Sequence, residues 1–540
     1  MFIKITKSGN YKYAQAVKSF KQKGVVRHKV LFNLGRVDVI YNNPTFQNFA
    51  RRLLQLSNAT TAANIEAISE AEISNWGYVA YRKIWEDFGL DKILSLIASK
   101  TKILFDLSKT SFLMAVSHLL APSSKLGIYN NQDRYNHFDP VDLNELYRSL
   151  DILADSKDKI EKEIFEINRN LFNMNVDVVF YDVTTFSFSS VIADSLKDFG
   201  FSKAGKPGKV QVVMGLLIDC YGRPIGYELF PGNTFDGKTL SSALDALEKR
   251  FGIRKVIIVA DKGITSKVNL KEVIDRGYSY IFAYRLKSAP FKIKDEAFKD
   301  GYIQIGDSDE SLSYKVIDHT HNFYAGSKKI SLSQRIIITY SQARAKRDRE
   351  DRERAIGKAK SLLEDFSRIR ASNRRGAKKY IAQKADSINY ILDTDAIDND
   401  EKFDGYYAIA TDQDDLSAQD VISAYHSLWK IEQSFRMMKS SLEVQPIFVW
   451  TEKRIKGHFV ICFLAFLLAR HLEYKLYKNN ISASAEKIRE ALNSLNFAKV
   501  SLNTNAYFIK TKATDLAHKI LRILKINSPK NITPAEELNL

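Results

Sequence analysis

The residues best placed to do chemistry are acids at the ends of apolar runs. The run over 176–181 ends at Asp182, and the run Lys255–Ala260 ends at Asp261. An aspartate after an apolar run is also a common turn-former, so each alone has an ordinary structural reading. Together at the rim of one sheet, where open α/β folds collect their chemistry, they can share a divalent metal. Hard cations take oxygen ligands, and Mg²⁺ is held by a few carboxylates plus water and substrate phosphate. A third acid, Glu432, falls in a helix expected over Ser417–Ser440. At about 100° per residue, seven-residue steps come within roughly 20° of two full turns, so Tyr425, Glu432 and Lys439 are expected on nearly one line. Leu428, Ile431, Phe435 and Met438 form the adjacent apolar stripe. An ordinary amphipathic helix with a solvated edge has the same pattern, and the two aspartates decide against that reading. Three carboxylates around two metals suit phosphoryl transfer: one ion lowers the pKa of the attacking water or 3′-hydroxyl, and the other stabilises the leaving oxygen. Lys439, one step along the line, suits a phosphate.

These acids need a sheet to carry them. Strand signals run over 176–181, Val210–Ile218, Pro224–Phe230, Lys255–Ala260 and Tyr278–Leu286, with helices at Lys238–Phe251 and Ser266–Arg276. That order predicts an α/β fold with a mixed sheet. The pattern weakens over 288–403, where pieces such as Tyr314–Ile317 and Ile336–Tyr340 precede a basic helical stretch. It resumes at Gly405–Thr411, so 288–403 reads as an insertion. Upstream, 1–42 reads as a basic β-rich segment, with turns at Ser8-Gly9-Asn10 and Lys23-Gly24. Residues 43–165 follow as a helical region in which Ile84, Phe88, Ile93, Leu94 and Ile97 recur at helical steps. The catalytic core is expected over 166–287 and 404–480, and 481–540 is a polar, mixed C-terminal region. Gly457–Tyr477 is a very apolar helix. Its continuous run, Phe459–Ala469, is too short to cross a bilayer, so it reads as buried core and no membrane partner is expected.

The chain has 540 residues, 45% of them hydrophobic, which suits a globular protein and excludes a mainly disordered chain, a collagen-like fibre or a multi-span membrane protein. Lys plus Arg is 81 against 63 Asp plus Glu, a net charge of +18. Such a surplus steers polyanions to the surface, with nucleic acid as the first reading and anionic membrane the second. Residues 1–36 hold nine basic residues and no acid, and Ser341–Lys379 holds 14 basic and 6 acidic residues. Both can dock along phosphates by releasing counterions. Cys220 and Cys462 build neither a disulfide framework nor a Cys-x-x-Cys zinc pair, so a reducing, cytoplasmic location is expected.

Three blocks, in order, then carry a resemblance: Tyr181-Asp182-Val183-Thr184-Thr185-Phe186, Ala260-Asp261-Lys262-Gly263-Ile264, and the stretch Tyr425–Lys439. The chain resembles bacterial insertion-sequence DDE transposases of the Tyr-x2-Arg-x3-Glu-x6-Lys branch, whose ribonuclease-H-like catalytic domain is interrupted before the glutamate. The match holds at Tyr425, Glu432 and Lys439 and departs at Leu428, where the pattern has Arg. Weaker likeness extends over about 145–470, and the 1–40 hairpin resembles the start of such proteins. The resemblance implies a catalytic, metal-holding triad of Asp182, Asp261 and Glu432 with Mg²⁺ or Mn²⁺, two ions in all. It implies DNA contacts by Tyr425 and Lys439, with Lys430 or Arg436 standing in for the missing Arg and Lys262 alongside. It also implies cleavage at the element's terminal inverted repeats, strand transfer into target DNA, and a homodimer that pairs two ends in a bacterial, nucleoid-associated complex. The rival readings are a catalytically silent DNA-binding derivative and a structure-selective nuclease.

Other residues draw less weight. His319 and His321 lack a third ligand nearby and read as structural. Gly205–Lys209 lacks the ending of a nucleotide-binding loop and reads as a flexible turn. His426 and His458 are not needed by a two-metal mechanism, and Trp429 and Phe435 read as core.

Overall fold

The computed structural model describes residues 2–22, 25–57, 71–136, 138–171, 174, 177–201, 208–305, 312–325, 328–364, 376–383, 390–502 and 505–538. The expected turn at Lys23-Gly24 and most of Gly205–Lys209 lie outside them. The chain divides into two compact units: a larger one of Met1–Asn175, Val183–Thr234 and Lys430–Leu540, and a smaller one of Val176–Asp182 and Phe235–Trp429.

In the larger unit, β1 (Phe2–Ser8), β2 (Tyr11–Gln22) and β3 (Val25–Arg36) form an antiparallel sheet. Ser8 pairs with Tyr11, so Gly9-Asn10 is a two-residue hairpin turn, and Gly9 takes the φ of +59° that such a turn requires. One side of this sheet, through Ala14, Ala16, Phe32 and Leu34, shares a core with Val500, Ile509 and Ile532 from the other end of the chain. Those residues belong to a second sheet of β4 (Glu72–Asn75), β16 (Asn496–Leu502), β17 (Asn505–Lys510) and β18 (Ile532–Pro534), ordered β18-β17-β16-β4. The polar, mixed tail expected over 481–540 is thus partly sheet. Its pairing partner β4 lies more than 400 residues upstream, with Asn75 opposite Asn496, so no local pattern announces it. The helix Glu452–Lys478 is long and apolar enough to cross a membrane by length and composition, but it is buried inside the fold from Gly457 to Leu472. It crosses the helix Leu143–Leu171 closely enough that a Cβ on Gly457 would lie 2.0 Å from the Leu150 carbonyl oxygen. The expected hairpin over 210–230 is present as β6 (Gln211–Asp219) and β7 (Pro224–Pro231).

Strand β5 (Val178–Ser187) starts in the smaller unit and ends in the larger. In the smaller unit its neighbours are β8 (Ile257–Ala260), β9 (Ser279–Tyr284), β15 (Tyr406–Thr411), β12 (Lys328–Tyr340), β11 (Leu312–Ala325) and β10 (Ile303–Ile305), in that order. A short separate pair, β13 (Ile381–Gln383) and β14 (Tyr390–Leu392), completes the strands among the described residues. β5, β8 and β9 run parallel, and the remaining pairings are antiparallel, which makes the sheet mixed as expected. The crossover between β8 and β9 is the helix Lys267–Asp275, whose Ser266 cap accepts from the Asn269 amide. The stretch 288–403 contributes to this same sheet, because β12 pairs with β15 from Arg335↔Thr411 to Tyr340↔Tyr406. The basic stretch begins as the helix Gln342–Leu363, tied down by a buried Arg352 that forms an ion pair with Asp404. Residues 365–375 of that stretch lie outside the described ones.

Candidate active site

Asp182 and Asp261 stand at matching positions on neighbouring strands. β5 and β8 are parallel, with Val178 opposite Ile257 and Phe180 opposite Val259. Asp182 follows Phe180 by two residues and Asp261 follows Val259 by two. Asp261 leaves the carboxyl end of β8, whereas Asp182 lies inside β5, which runs on to Ser187 instead of ending at 181 as expected. With the strands about 4.8 Å apart, the two acids stand at one level and to one side. Asp182 is half-buried and Asp261 exposed. Their oxygens are the donor type that a hard divalent cation takes.

The third sequence block meets the second here. The Tyr425 hydroxyl donates to Asp261 Oδ1 at 2.9 Å and is hydrogen-bonded to the Tyr407 hydroxyl. Burial first, then the Tyr407 hydroxyl and the Asp261 charge, push the Tyr425 phenol far above its ordinary range, so it stays a donor. Lys262 Nζ and the Arg344 guanidinium each lie 4.6 Å from the centre of the Tyr407 ring. Desolvation and then Arg344 pull the Lys262 amine below its ordinary range, against Asp261, which raises it. The Arg285 guanidinium holds the turn by donating to the Lys262 carbonyl at 2.9 Å. Tyr407 and Arg344 carry no sequence signal of a site. They become visible only when β15 and the helix Gln342–Leu363 are folded.

The continuous helix expected over Ser417–Ser440 is broken. Helix Ala418–His426, capped by Ser417, ends at a turn over Ser427-Leu428. A second helix, Trp429–Arg436, follows, and Met437–Ser441 widens into a π turn. Ser427 Oγ donates back to the Ser423 carbonyl at 3.0 Å, alongside the Ser427 amide, which keeps its own bond to that carbonyl at 3.1 Å. The single line through Tyr425, Glu432 and Lys439 therefore does not exist as straight-helix geometry. Tyr425 belongs to the smaller unit, and Glu432 and Lys439 to the larger.

In the larger unit Glu432 is exposed on a helix that buries Ile431, Ser434 and Phe435. Arg470 fastens that helix by donating to Ser434 Oγ at 2.9 Å, and Lys430 does so by donating to the Cys220 carbonyl at 2.6 Å. Lys439 Nζ donates to Thr184 Oγ1 at 2.6 Å, on the part of β5 that belongs to the larger unit. Arg436 is exposed. Leu428, at the position of the expected Arg, is 9% exposed and serves as packing. Phe435 is core as expected, but Trp429 is 54% exposed, because the break at 427–428 turns it off the buried face. His319 and His321 sit on β11 with ring centres 6.1 Å apart.

Comparisons with known proteins follow the same residues. No curated protein sequence matches the chain. Among solved structures, a piggyBac transposase in a synaptic complex with hairpin DNA matches at 8% identity with a TM-score of 0.35, covering 78% of this chain and 80% of that one. Residues 3–64 match the family described as the IS1634 family transposase N-terminal domain. Residues 177–468, over half of the chain, match the family described as the transposase DDE domain. The protein therefore belongs to the DDE transposases, enzymes with a ribonuclease-H-like catalytic domain that bind DNA, cut it and join it with the help of divalent metal ions.

Proposed function

We propose that Asp182, Asp261 and Glu432 are the metal-holding carboxylates of this transposase, and that the ions are a pair of Mg²⁺, replaceable by Mn²⁺. The observation that carries this reading is the register match of Asp182 and Asp261 on parallel strands, with Asp261 bonded by Tyr425 from the third block. When bound, the ions supply Lewis acidity that activates a water or 3′-hydroxyl and steadies the leaving oxygen. The chain's own residues do the positioning. Tyr425 orients the Asp261 carboxylate. Lys439, braced on Thr184, presents a cation to a phosphate, with Arg436 and Lys262 alongside. Lys430 would reach DNA only by giving up its bond to the Cys220 carbonyl. Residues 1–42 and 43–165 grip the element's terminal inverted repeats. Residues 166–287 and 404–480 cut and join, 288–403 is inserted between them, and 481–540 forms the C-terminal region. Two copies pair the two ends in the bacterial cytoplasm, on the nucleoid.

The test is cleavage of DNA carrying the element's ends, with Mg²⁺, by Asp182→Asn, Asp261→Asn and Glu432→Gln variants. Each is expected to lose more than about 100-fold in rate while still binding DNA, as removal of a group acting on transition-state charge does. A variant that keeps wild-type activity removes its residue from the set. Binding without cleavage by the wild type, with Mg²⁺ and with Mn²⁺, would point to a silent derivative. Equal cutting of unrelated branched DNA would point to a structure-selective nuclease.

A further inference from the structure

Deep in the larger unit, His118, His458 and Cys462 are all buried, and one ligand atom from each lies within 4.8 Å of the others. Cys462 Sγ is 4.0 Å from His118 Nε2 and 3.8 Å from His458 Nδ1. A tetrahedral zinc site with ordinary Zn–N and Zn–S bonds has N···S edges of about 3.6 Å and N···N edges of about 3.3 Å. The sulfur therefore stands within a few tenths of an ångström of its place, and the two imidazoles, whose ligand atoms lie within 4.8 Å of each other, close in further. Both imidazoles are already oriented. His118 Nδ1 lies 2.8 Å from the Leu442 carbonyl oxygen, and His458 Nε2 lies 3.2 Å from that of Val444. A carbonyl only accepts, so the protons sit on those nitrogens. The lone pairs then sit on His118 Nε2 and His458 Nδ1. Because Cys462 Sγ also lies 3.5 Å from His458 Nε2, the His458 ring has to turn for its Nδ1 lone pair to share an ion with the sulfur. An outer ring of main-chain carbonyls fixing the tautomers of ligand histidines is how protein metal sites are built. Lys125 Nζ lies 3.3 Å from His458 Nδ1, where it donates to that lone pair. Lys125 and both histidines also line a cavity of about 330 Å³ that reaches Glu443 and Phe448, both exposed.

We infer that His118, His458 and Cys462 form a transition-metal site of the zinc class, separate from the catalytic carboxylates. Two imidazoles and a thiolate are borderline-to-soft donors that favour Zn²⁺ over Mg²⁺. On binding, the Cys462 thiol gives its proton to solvent as the sulfur–metal bond forms. The Lys125 amine withdraws into the cavity, and a water from that cavity fills the fourth position. The ion joins the helix Leu107–Leu120 to the helix Glu452–Lys478. Through the Leu442 and Val444 carbonyls it also fixes the segment that directly follows the block carrying Glu432 and Lys439. It is a structural staple rather than a reacting centre.

The experiment strips the full-length protein with chelator and titrates it with Co²⁺, then with competing Zn²⁺. The expected result is a thiolate-to-cobalt charge-transfer band with tetrahedral visible bands, abolished by a single equivalent of Zn²⁺, and a higher Tm with zinc. Co²⁺ on the oxygen ligands of the catalytic acids gives no sulfur band, so the two sites are told apart. Cys462→Ala is expected to lose the band and weaken zinc binding by more than about 100-fold, beyond what an outer-shell change costs. Lys125→Met is expected to tighten binding about tenfold, the worth of one hydrogen bond made by a charged group. A wild type with no charge-transfer band overturns the proposal whether or not the variants fold. So does a folded Cys462→Ala that binds zinc as tightly as the wild type.

Discussion

At the scale of single residues, Tyr425 makes the sharpest claim, because its hydroxyl is bonded to an acid on which the chemistry depends. A hydrogen bond to a charged group is worth about 1.5–3 kcal/mol, so Tyr425→Phe is expected to slow cleavage by about 10- to 100-fold. DNA affinity should stay near wild type. Cleavage kinetics against metal concentration check it, and an unchanged rate would make Tyr425 packing only. A second residue sets a pH dependence. Burial pushes the Lys510 amine from 10.5 down to about 8. Between those values the unfolded chain holds the proton and the folded one does not, so stability rises as pH climbs through the window, and the cost is fully present below it. Lys510→Met should therefore stabilise the fold at pH 7 by about 2 kcal/mol after discounting for solvent screening, and the gain should vanish by pH 10.5. Thermal melts across that range decide it. The acids were legible at this scale because an apolar run ending in Asp is a local pattern. Tyr407 and Arg344 were not, since what brings them beside Asp261 is the pairing of β15 and the docking of a helix.

Elements were legible where their pattern is local and strong. The parallel strands β8 and β9 and the β6–β7 hairpin fall where the sequence puts them, while β5 runs past the expected end at 181 to Ser187 and the apolar helix begins at Glu452 rather than Gly457. The break at Ser427-Leu428 was hidden because the apolar stripe Leu428, Ile431, Phe435 and Met438 continues almost undisturbed across it. The Ser427 hydroxyl turns back on its own ladder there, but the Ser434 hydroxyl does the same inside the next helix without ending it, so no local signal marks the break. The outer parts of β11 and β12 were hidden for another reason. His319, His321 and Asn322 interrupt their apolar alternation, and only pairing along the whole length from Ser313↔Tyr340 to Ala325↔Lys328 makes them strands. The metal cluster shows the same limit: His458 and Cys462 are one helical turn apart in sequence, but His118 reaches them from 340 residues away. Close helix packing supplies this scale's prediction. A Cβ on Gly457 would meet the Leu150 main chain, not the tip of a flexible side chain. Gly457→Ala must push the two longest helices apart, and overpacking of that kind costs about 1–3 kcal/mol. Urea titration should show a lower midpoint with an unchanged slope, whereas an unchanged midpoint would mean the crossing has room to spare.

For the molecule as a whole, the surplus of +18 becomes a claim about where polyanions dock. The sheet β1–β3 sets like charges side by side: Lys7 lies opposite Lys12, and Lys18 opposite Lys29, all four exposed. Like charges directly opposite on a sheet are destabilising, by a few tenths of a kcal/mol to about 1 kcal/mol per pair. A line of phosphates would relieve that repulsion, and each phosphate neutralised on duplex DNA adds about 0.9 to the slope of log affinity against log salt. Replacing all four lysines with glutamine should therefore move two observables in opposite directions. The salt slope for DNA should flatten by up to about 4, with a similar loss of affinity for every sequence, because phosphate contacts carry no base information. The DNA-free protein should meanwhile melt at a slightly higher temperature, because the paired repulsions are gone. Filter binding across a salt series, read beside a melt, gives both numbers. If the slope holds while the melt rises, these lysines face solvent, and the docking surface has to be sought on the helix Gln342–Leu363, where eight basic residues face four acidic ones.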